Sequence, residues 1–203
     1  MSSIHSHPQR NTIRLQLRQS IVLEKMSAQA WAELEPQLEI ANFGKGDLLS
    51  RQGHRAMEQF FIIDGILKRV VSDRKGKEMI LRFAAENDMD TSYAAWRLGT
   101  PMPYSIVSVT KVRVAKLSMH QWAKFLEGHQ EVKERFEYEV MSLMSEVMAH
   151  TITLHLLDAP GRLSRFMRKH PELLARIPKK ELASYLNLTP ETLSRLKRKE
   201  ASV

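Results

Sequence analysis

Residues 178–199 read PKKELASYLNLTPETLSRLKRK and divide into two short helical phrases. In the first, Lys179 to Leu186, the residues Leu182, Ala183 and Leu186 share one face. Asn187 interrupts it with a residue that tolerates the left-handed backbone of a tight turn. Thr189 then supplies an N-cap, Pro190 the first helical position, and Glu191 an acid in the first turn, where the helix dipole favours one. Beyond it Leu193 and Leu196 point inward, which leaves Glu191, Thr192, Ser194, Arg195, Lys197 and Arg198 for solvent or a partner. Two helices joined by a three- or four-residue turn, the second studded with Arg, Lys, Ser and Thr, describe a helix-turn-helix. A basic helical hairpin with a solvated face has the same pattern, so the charge distribution matters.

The 203 residues carry 31 Lys and Arg against 23 Asp and Glu, a net charge of +8. Between Arg162 and Lys199 there are eleven Lys/Arg and three Asp/Glu, a local excess that equals the net charge of the whole chain. Positive charge confined to one segment is the footprint of a nucleic-acid binder, because neutralising phosphates releases counterions. A membrane-surface helix would also be basic, but this segment lacks the long apolar face such a helix buries. Double-stranded DNA is therefore the expected partner.

The remaining composition narrows the class. A hydrophobic content of 43% supports a packed core. No run approaches the roughly 18–20 apolar residues of a membrane span. Met1 to Arg18 is mostly polar with three arginines, and so lacks an apolar signal core. With no cysteine, disulfides, thiolate zinc sites and cysteine-held clusters are excluded. A cytoplasmic protein without metal or cofactor is the expectation. Residues 1–19 read as a flexible leader, His5 and His7 included.

Upstream of the basic segment the pattern changes twice. Ile21 to Ile40 reads helical, with Ser27 as a cap. From Ala41, turn signals recur at short spacing between strand-like runs: Asp47 to Leu49, Phe60 to Ile63, Ile66 to Val71, Glu78 to Phe83, Tyr104 to Val109 and Lys111 to Ser118. Asp64-Gly65 between FFII and ILKRVV signals a hairpin. Short strands without intervening helices indicate an antiparallel barrel or jelly roll. A short helix follows around Met119 to Leu126, then a long periodic segment, Gln130 to Leu157. Phe136, Val140, Leu143, Val147, His150, Leu154 and Leu157 follow a 4-3 spacing without a slip, which predicts a homodimer seam. A second stripe, Met141, Met144, Met148, Thr151 and His155, is expected to face the barrel. Asp158-Ala159-Pro160-Gly161 ends the helix at a hinge.

This order of elements resembles the Crp/Fnr family of bacterial transcription regulators from about Ile21 onward. The likeness rests on GKGDLLSRQG (44–53), FFIIDGILKRVV (60–71), GKEMILRF (76–83) and Asn87-Asp88, where the family often has Gly-Asp. In the basic segment it rests on ELASYLNLTPETLSRLKR (181–198), with ETLSR its most specific piece. The resemblance implies an α+β protein: a cyclic-nucleotide-binding-like barrel at 20–128, a dimerisation helix at 129–158 and a helix-turn-helix domain at 159–203. It implies that Glu191, Ser194 and Arg195 reach base edges, chemistry that suits Arg on guanine and Glu on cytosine. Thr189, Thr192, Lys197 and Arg198 would then touch the phosphate backbone. A homodimer and RNA polymerase are the protein partners implied.

Two departures qualify the likeness. Members that bind cyclic AMP carry Gly-Glu and then Arg-Ser or Arg-Thr in the phosphate loop. Here the stretch 88–108 reads DMDTSYAAWRLGTPMPYSIVS, with no Gly-Glu and Met102-Pro103-Tyr104 about where the arginine would stand. Without that arginine an anionic phosphate lacks its charge-assisted partner, so cyclic AMP is not expected. Arg82, Tyr93, Arg97, Thr151 and His155 are the candidates to line a pocket for some other effector. Second, the sequence stops at Val203, four residues past Lys199, and so resembles a branch without the β-hairpin wing. A cupin-type barrel enzyme is the competing reading, but the barrel region carries His54, ends near His120 and has no HxH pair. No enzyme motif stands out.

Overall fold

The computed structural model of the chain describes residues 2–4 and 7–200. His5 of the HxH pair lies outside them. In chain order the elements are β1 Ser2–Ser3, α1 Arg10–Leu17, α2 Ala28–Leu34, β2 Glu39–Phe43, β3 Leu48–Ser50, β4 Glu58–Asp64, β5 Leu67–Ser72, β6 Glu78–Ala84 and β7 Met89–Thr91. They continue with α3 Tyr93–Arg97, β8 Ser105–Ser108, β9 Val112–Ser118, α4 Met119–Gly128, α5 Gln130–Leu156, α6 Ala159–Lys169, α7 Lys179–Tyr185 and α8 Pro190–Glu200. The strands form two antiparallel sheets, one ordered β1-β2-β9-β4-β7 and the other β3-β8-β5-β6. Each of the six strand-like runs holds a strand; β1, β2 and β7 are additions.

The turn at Asp64-Gly65 does not make the expected hairpin, because β4 and β5 lie in different sheets. It carries the chain from one sheet to the other. Gly65 sits at φ +94°, and a Cβ there would stand 2.2 Å from the Lys111 carbonyl oxygen. The glycine is therefore required for a sheet-to-sheet crossing that runs tight against the β8–β9 connection.

The flexible leader is also overturned. Arg10–Leu17 is helical and buries Ile13 and Leu17 in the barrel core, which Ile4 joins. Arg10 and Arg14 both pair with the buried Glu35 carboxylate, at 2.6 and 3.0 Å. Ile13 and Leu17 do stand four residues apart, but the arginines and glutamines around them leave too few apolar positions for a periodic stripe to show. The helix read over Ile21 to Ile40 shortens to α2 and a 3-10 turn at Glu35–Gln37, and Ile40 goes to β2. Ser27 caps α2 as expected, accepting from the Ala30 N–H at 3.1 Å.

The barrel core is closed by aromatic packing at the start of α5. Trp122 meets Phe61 and Phe136 edge-on, each with ring centroids 5.3 Å apart. A second core lies between the β3-β8-β5-β6 sheet and the C-terminal helices. Ile66, Ile80, Phe83 and Val109 of the barrel pack with Leu163, Phe166, Leu173 and Leu182. The C-terminal helices are thus seated on their own subunit's barrel.

Candidate nucleic-acid interface

The two C-terminal phrases fold as a helix pair whose turn is fixed by backbone chemistry. Asn187 takes φ +52°. The Leu188 N–H donates to the Ala183 carbonyl at 2.8 Å and the Asn187 N–H to Ser184 at 3.1 Å, a Schellman closure of α7. Arg162 on α6 braces the turn by donating to the carbonyls of Leu157, Leu186 and Asn187. Thr189 caps α8, its hydroxyl accepting from the Thr192 N–H at 3.2 Å. Leu193 is fully buried, which fixes the rotation of α8 about its axis.

That rotation leaves Glu191, Arg195 and Arg198 exposed, one turn apart along a single face, with Thr192, Ser194 and Lys197 half-buried beside them. The structure therefore brings the expected base-reading residues together. Two of the group also have work inside the helix: Ser194 donates to the Pro190 carbonyl at 3.0 Å, and Thr189 is the cap. Glu191 is held below the usual carboxylate range by its own backbone N–H and by the Thr189 hydroxyl. Lys179 and Lys180 are exposed at the start of α7.

On α5 the two apolar stripes exchange roles. Phe136 is fully buried in its own barrel, Leu143 nearly so, and Val140 packs against the same core. Val147, His150 and Leu154 face the C-terminal helices of the same chain. Phe136 and Leu143 are buried in their own subunit, Val140, Val147, His150 and Leu154 are half-buried against it, and of the expected seam only Leu157 is exposed, at 37%. The outward face instead carries Tyr138, Met141, Met148 and Ile152, exposed by 50–65%. With Ser145 and His155, both exposed, they repeat at 3-4-3-4-3 spacing. Met144 and Thr151 are exposed as well, so the second stripe faces away from the barrel. Both stripes have heptad spacing, and spacing alone does not say which one meets the subunit's own core.

The five candidate pocket residues do not share a site. Arg97, Thr151 and His155 are exposed. Tyr93 donates to Glu137 at 2.9 Å and rests edge-on against Phe136. Arg82 is buried, held by Asp88 and by the Met89 carbonyl. Sequence reading missed the group that fills this end of the barrel. Arg69 Nε bonds both Asp90 oxygens at 2.9 and 3.0 Å, its Nη2 donates to the Thr91 carbonyl, and its guanidinium lies 4.6 Å over the Tyr104 ring. The Tyr104 hydroxyl donates to the same Thr91 carbonyl at 2.6 Å, and burial pushes its pKa up to about 12. Consecutive cations in a strand face opposite sides, so Lys68-Arg69 already required one charge to point inward. Arg69 does; Lys68, on the other face, reaches Glu181 of α7 at 2.7 Å. Among the described residues no group of three or more metal-ligating side chains forms.

A two-sheet barrel, a long helix and a basic helix pair in this order match known proteins. Residues 40–129 match the cyclic nucleotide-binding domain family. The cAMP-activated global transcriptional regulator CRP of Salmonella typhimurium is 20% identical over 158 residues, 73% of this chain and 75% of that protein. The chain is similar to regulators of the Crp/Fnr type. Among solved structures, FixK2 from Bradyrhizobium japonicum superposes with a TM-score of 0.72 at 15% identity, over 81% of this chain and 85% of FixK2. The c-di-GMP responsive global regulator CLP of Xanthomonas campestris gives 0.70 at 12% identity, over 87% and 92%. The likeness in fold thus extends well beyond the matched barrel. Asn87, where the resemblance implies glycine, takes φ +69°, the left-handed backbone that glycine favours. Among the described residues no helix is long and apolar enough to cross a membrane.

Proposed function

We propose that the chain is a homodimeric transcription regulator that reads an inverted-repeat DNA site through α8. The observation that carries this is the α8 face: Glu191, Arg195 and Arg198 stand exposed on a helix capped by Thr189 and locked by buried Leu193. Arg195 pairs with guanine and Glu191 accepts from cytosine, while Thr192, Lys197 and Arg198 hold the phosphates. Thr189 and Ser194 contribute from the same face.

Dimerisation uses the outward stripe of α5, Tyr138, Met141, Met148 and Ile152, in place of the stripe first expected. A 27-residue helix is about 40 Å long, enough for a parallel seam. The barrel works without cyclic AMP in this reading, because its buried guanidiniums are already engaged: Arg69 by Asp90 and Arg82 by Asp88. A phosphate would have to displace a carboxylate from each, buried Asp90 from Arg69 and part-exposed Asp88 from Arg82.

Selection of bound fragments from a random-sequence DNA pool tests the proposal. Enriched sites should be inverted repeats with half-site centres roughly 34 Å apart. A pool that shows no enrichment after repeated rounds would exclude it.

A further inference from the structure

Where β6, α5, α6 and α7 meet, the fold forms a partly open cavity of about 40 Å³. Its polar lining includes Arg82, Glu146, His150, Arg162, Arg165 and Lys169. Two buried polar atoms without partners, Arg82 Nε and His150 Nε2, both belong to residues of this wall. Arg82 is 9% exposed. Its Nη1 and Nη2 are occupied by the Met89 carbonyl and the Asp88 carboxylate, but Nε faces Glu146 across 3.7 Å, too far for a hydrogen bond.

The charge balance of the wall is one-sided. Glu146 is its one carboxylate, and Lys169 already holds it at 2.9 Å. Arg162 spends its donors on three backbone carbonyls, which solvate the guanidinium without neutralising it. Among the described residues no carboxylate pairs with Arg162 or Arg165. Water in the cavity would leave the positive excess in place.

We propose that this cavity binds one compact oxyanion, a carboxylate or inorganic anion of a few heavy atoms, between Arg82 of β6 and Arg165 of α6. A cavity of about 40 Å³ suits a small ion, and its lining brings the C-terminal helices together with β6 and α5. Because the walls come from the barrel, the long helix and the C-terminal helices, an occupant ties the DNA-reading domain to its own barrel. The site does not rest on the DNA reading and is testable without DNA.

The test is calorimetric titration and thermal unfolding of the full chain with sodium acetate, sodium nitrate or sodium phosphate, each against sodium chloride at equal ionic strength. At least one of the three should bind saturably at one per chain and raise the melting temperature. Arg165→Gln should weaken that binding about tenfold or more, while Arg168→Gln, exposed on the same helix, should leave it unchanged. Arg165 is chosen because Arg82 belongs to a buried network whose loss would also weaken folding. Failure of all three anions to exceed chloride overturns the proposal, and so does equal binding by the two variants.

Discussion

The His150 ring on α5 lies flat on the Tyr185 ring of α7, with centroids 3.8 Å apart and planes 1° apart. Tyr185 also meets Phe83 of the barrel at 5.1 Å and Phe166 of α6 at 5.6 Å. One aromatic side chain therefore joins the barrel, the long helix and the C-terminal helices. Lys68–Glu181 and the bidentate Arg176–Glu86 pair flank it. The seating of α6, α7 and α8 on the barrel is set by packing within the subunit.

The stack predicts an acid sensitivity. Burial pushes His150 down to about 4, and Lys169, Arg165 and His170 add repulsion to its protonated form. Its folded-state pKa is lower than its unfolded one, so between about pH 6.5 and 4 the unfolded chain binds the proton that the folded chain refuses. Stability should fall over that window by about 2 kcal/mol from this group. Urea unfolding as a function of pH checks it: His150→Phe keeps an aromatic ring against Tyr185 and should flatten that part of the profile. An unchanged profile would remove His150 as the cause.

Substitutions on the two faces of α5 should separate folding from assembly. Met148→Asp, at a position 65% exposed, should leave the fold intact and convert a dimer to a monomer in sedimentation equilibrium. Phe136→Ala should cost about 3–5 kcal/mol of subunit stability, because it empties space at the centre of the barrel core. The reverse pattern would restore the seam first expected.

The Arg69–Asp90 pair should behave as a buried pair that is costly to break rather than strongly stabilising when whole. Arg69→Met alone strands a buried carboxylate and should cost about 3–5 kcal/mol. Arg69→Met combined with Asp90→Leu should recover most of that loss in urea unfolding. In the intact protein, cyclic AMP should leave the melting temperature unchanged, since the pair already occupies its own charges.

Gly65→Ala should destabilise the barrel by about 1–3 kcal/mol or more, since it combines φ +94° with a 2.2 Å approach to Lys111. Gly76→Ala, at φ +79° but with open space around its Cβ, isolates the conformational part and should cost less. Equal costs would mean that the clash is relieved by backbone movement.

The elements legible in the sequence were those whose signal is local. Thr189, Pro190 and Asn187 set the ends of α7 and α8 through their own backbone chemistry, and the structure places each as read. Strand positions followed from turn residues. Partner choice did not: Asp64-Gly65 marks a turn correctly, but whether β4 pairs with β5 depends on Lys111, distant in sequence. The α5 faces failed for a related reason, since Met and Ser on the outward stripe look less apolar than Phe136 and Val140, which fill the subunit's own core. Adjacent Lys68 and Arg69 required one inward cation, but which one, and that Asp90 is its partner, depends on a pairing between strands that the local sequence does not carry.

The most direct test of the central reading is fluorescence anisotropy on a selected inverted-repeat site and on a scrambled duplex, for the native chain and Arg195→Ala. The native protein should prefer the selected site. Arg195→Ala should lose about tenfold or more in affinity for that site while changing little on the scrambled duplex, because Arg195 reads a base edge and other cations hold the phosphates. Retention of the native preference by Arg195→Ala would contradict the assignment of α8 as the reading helix.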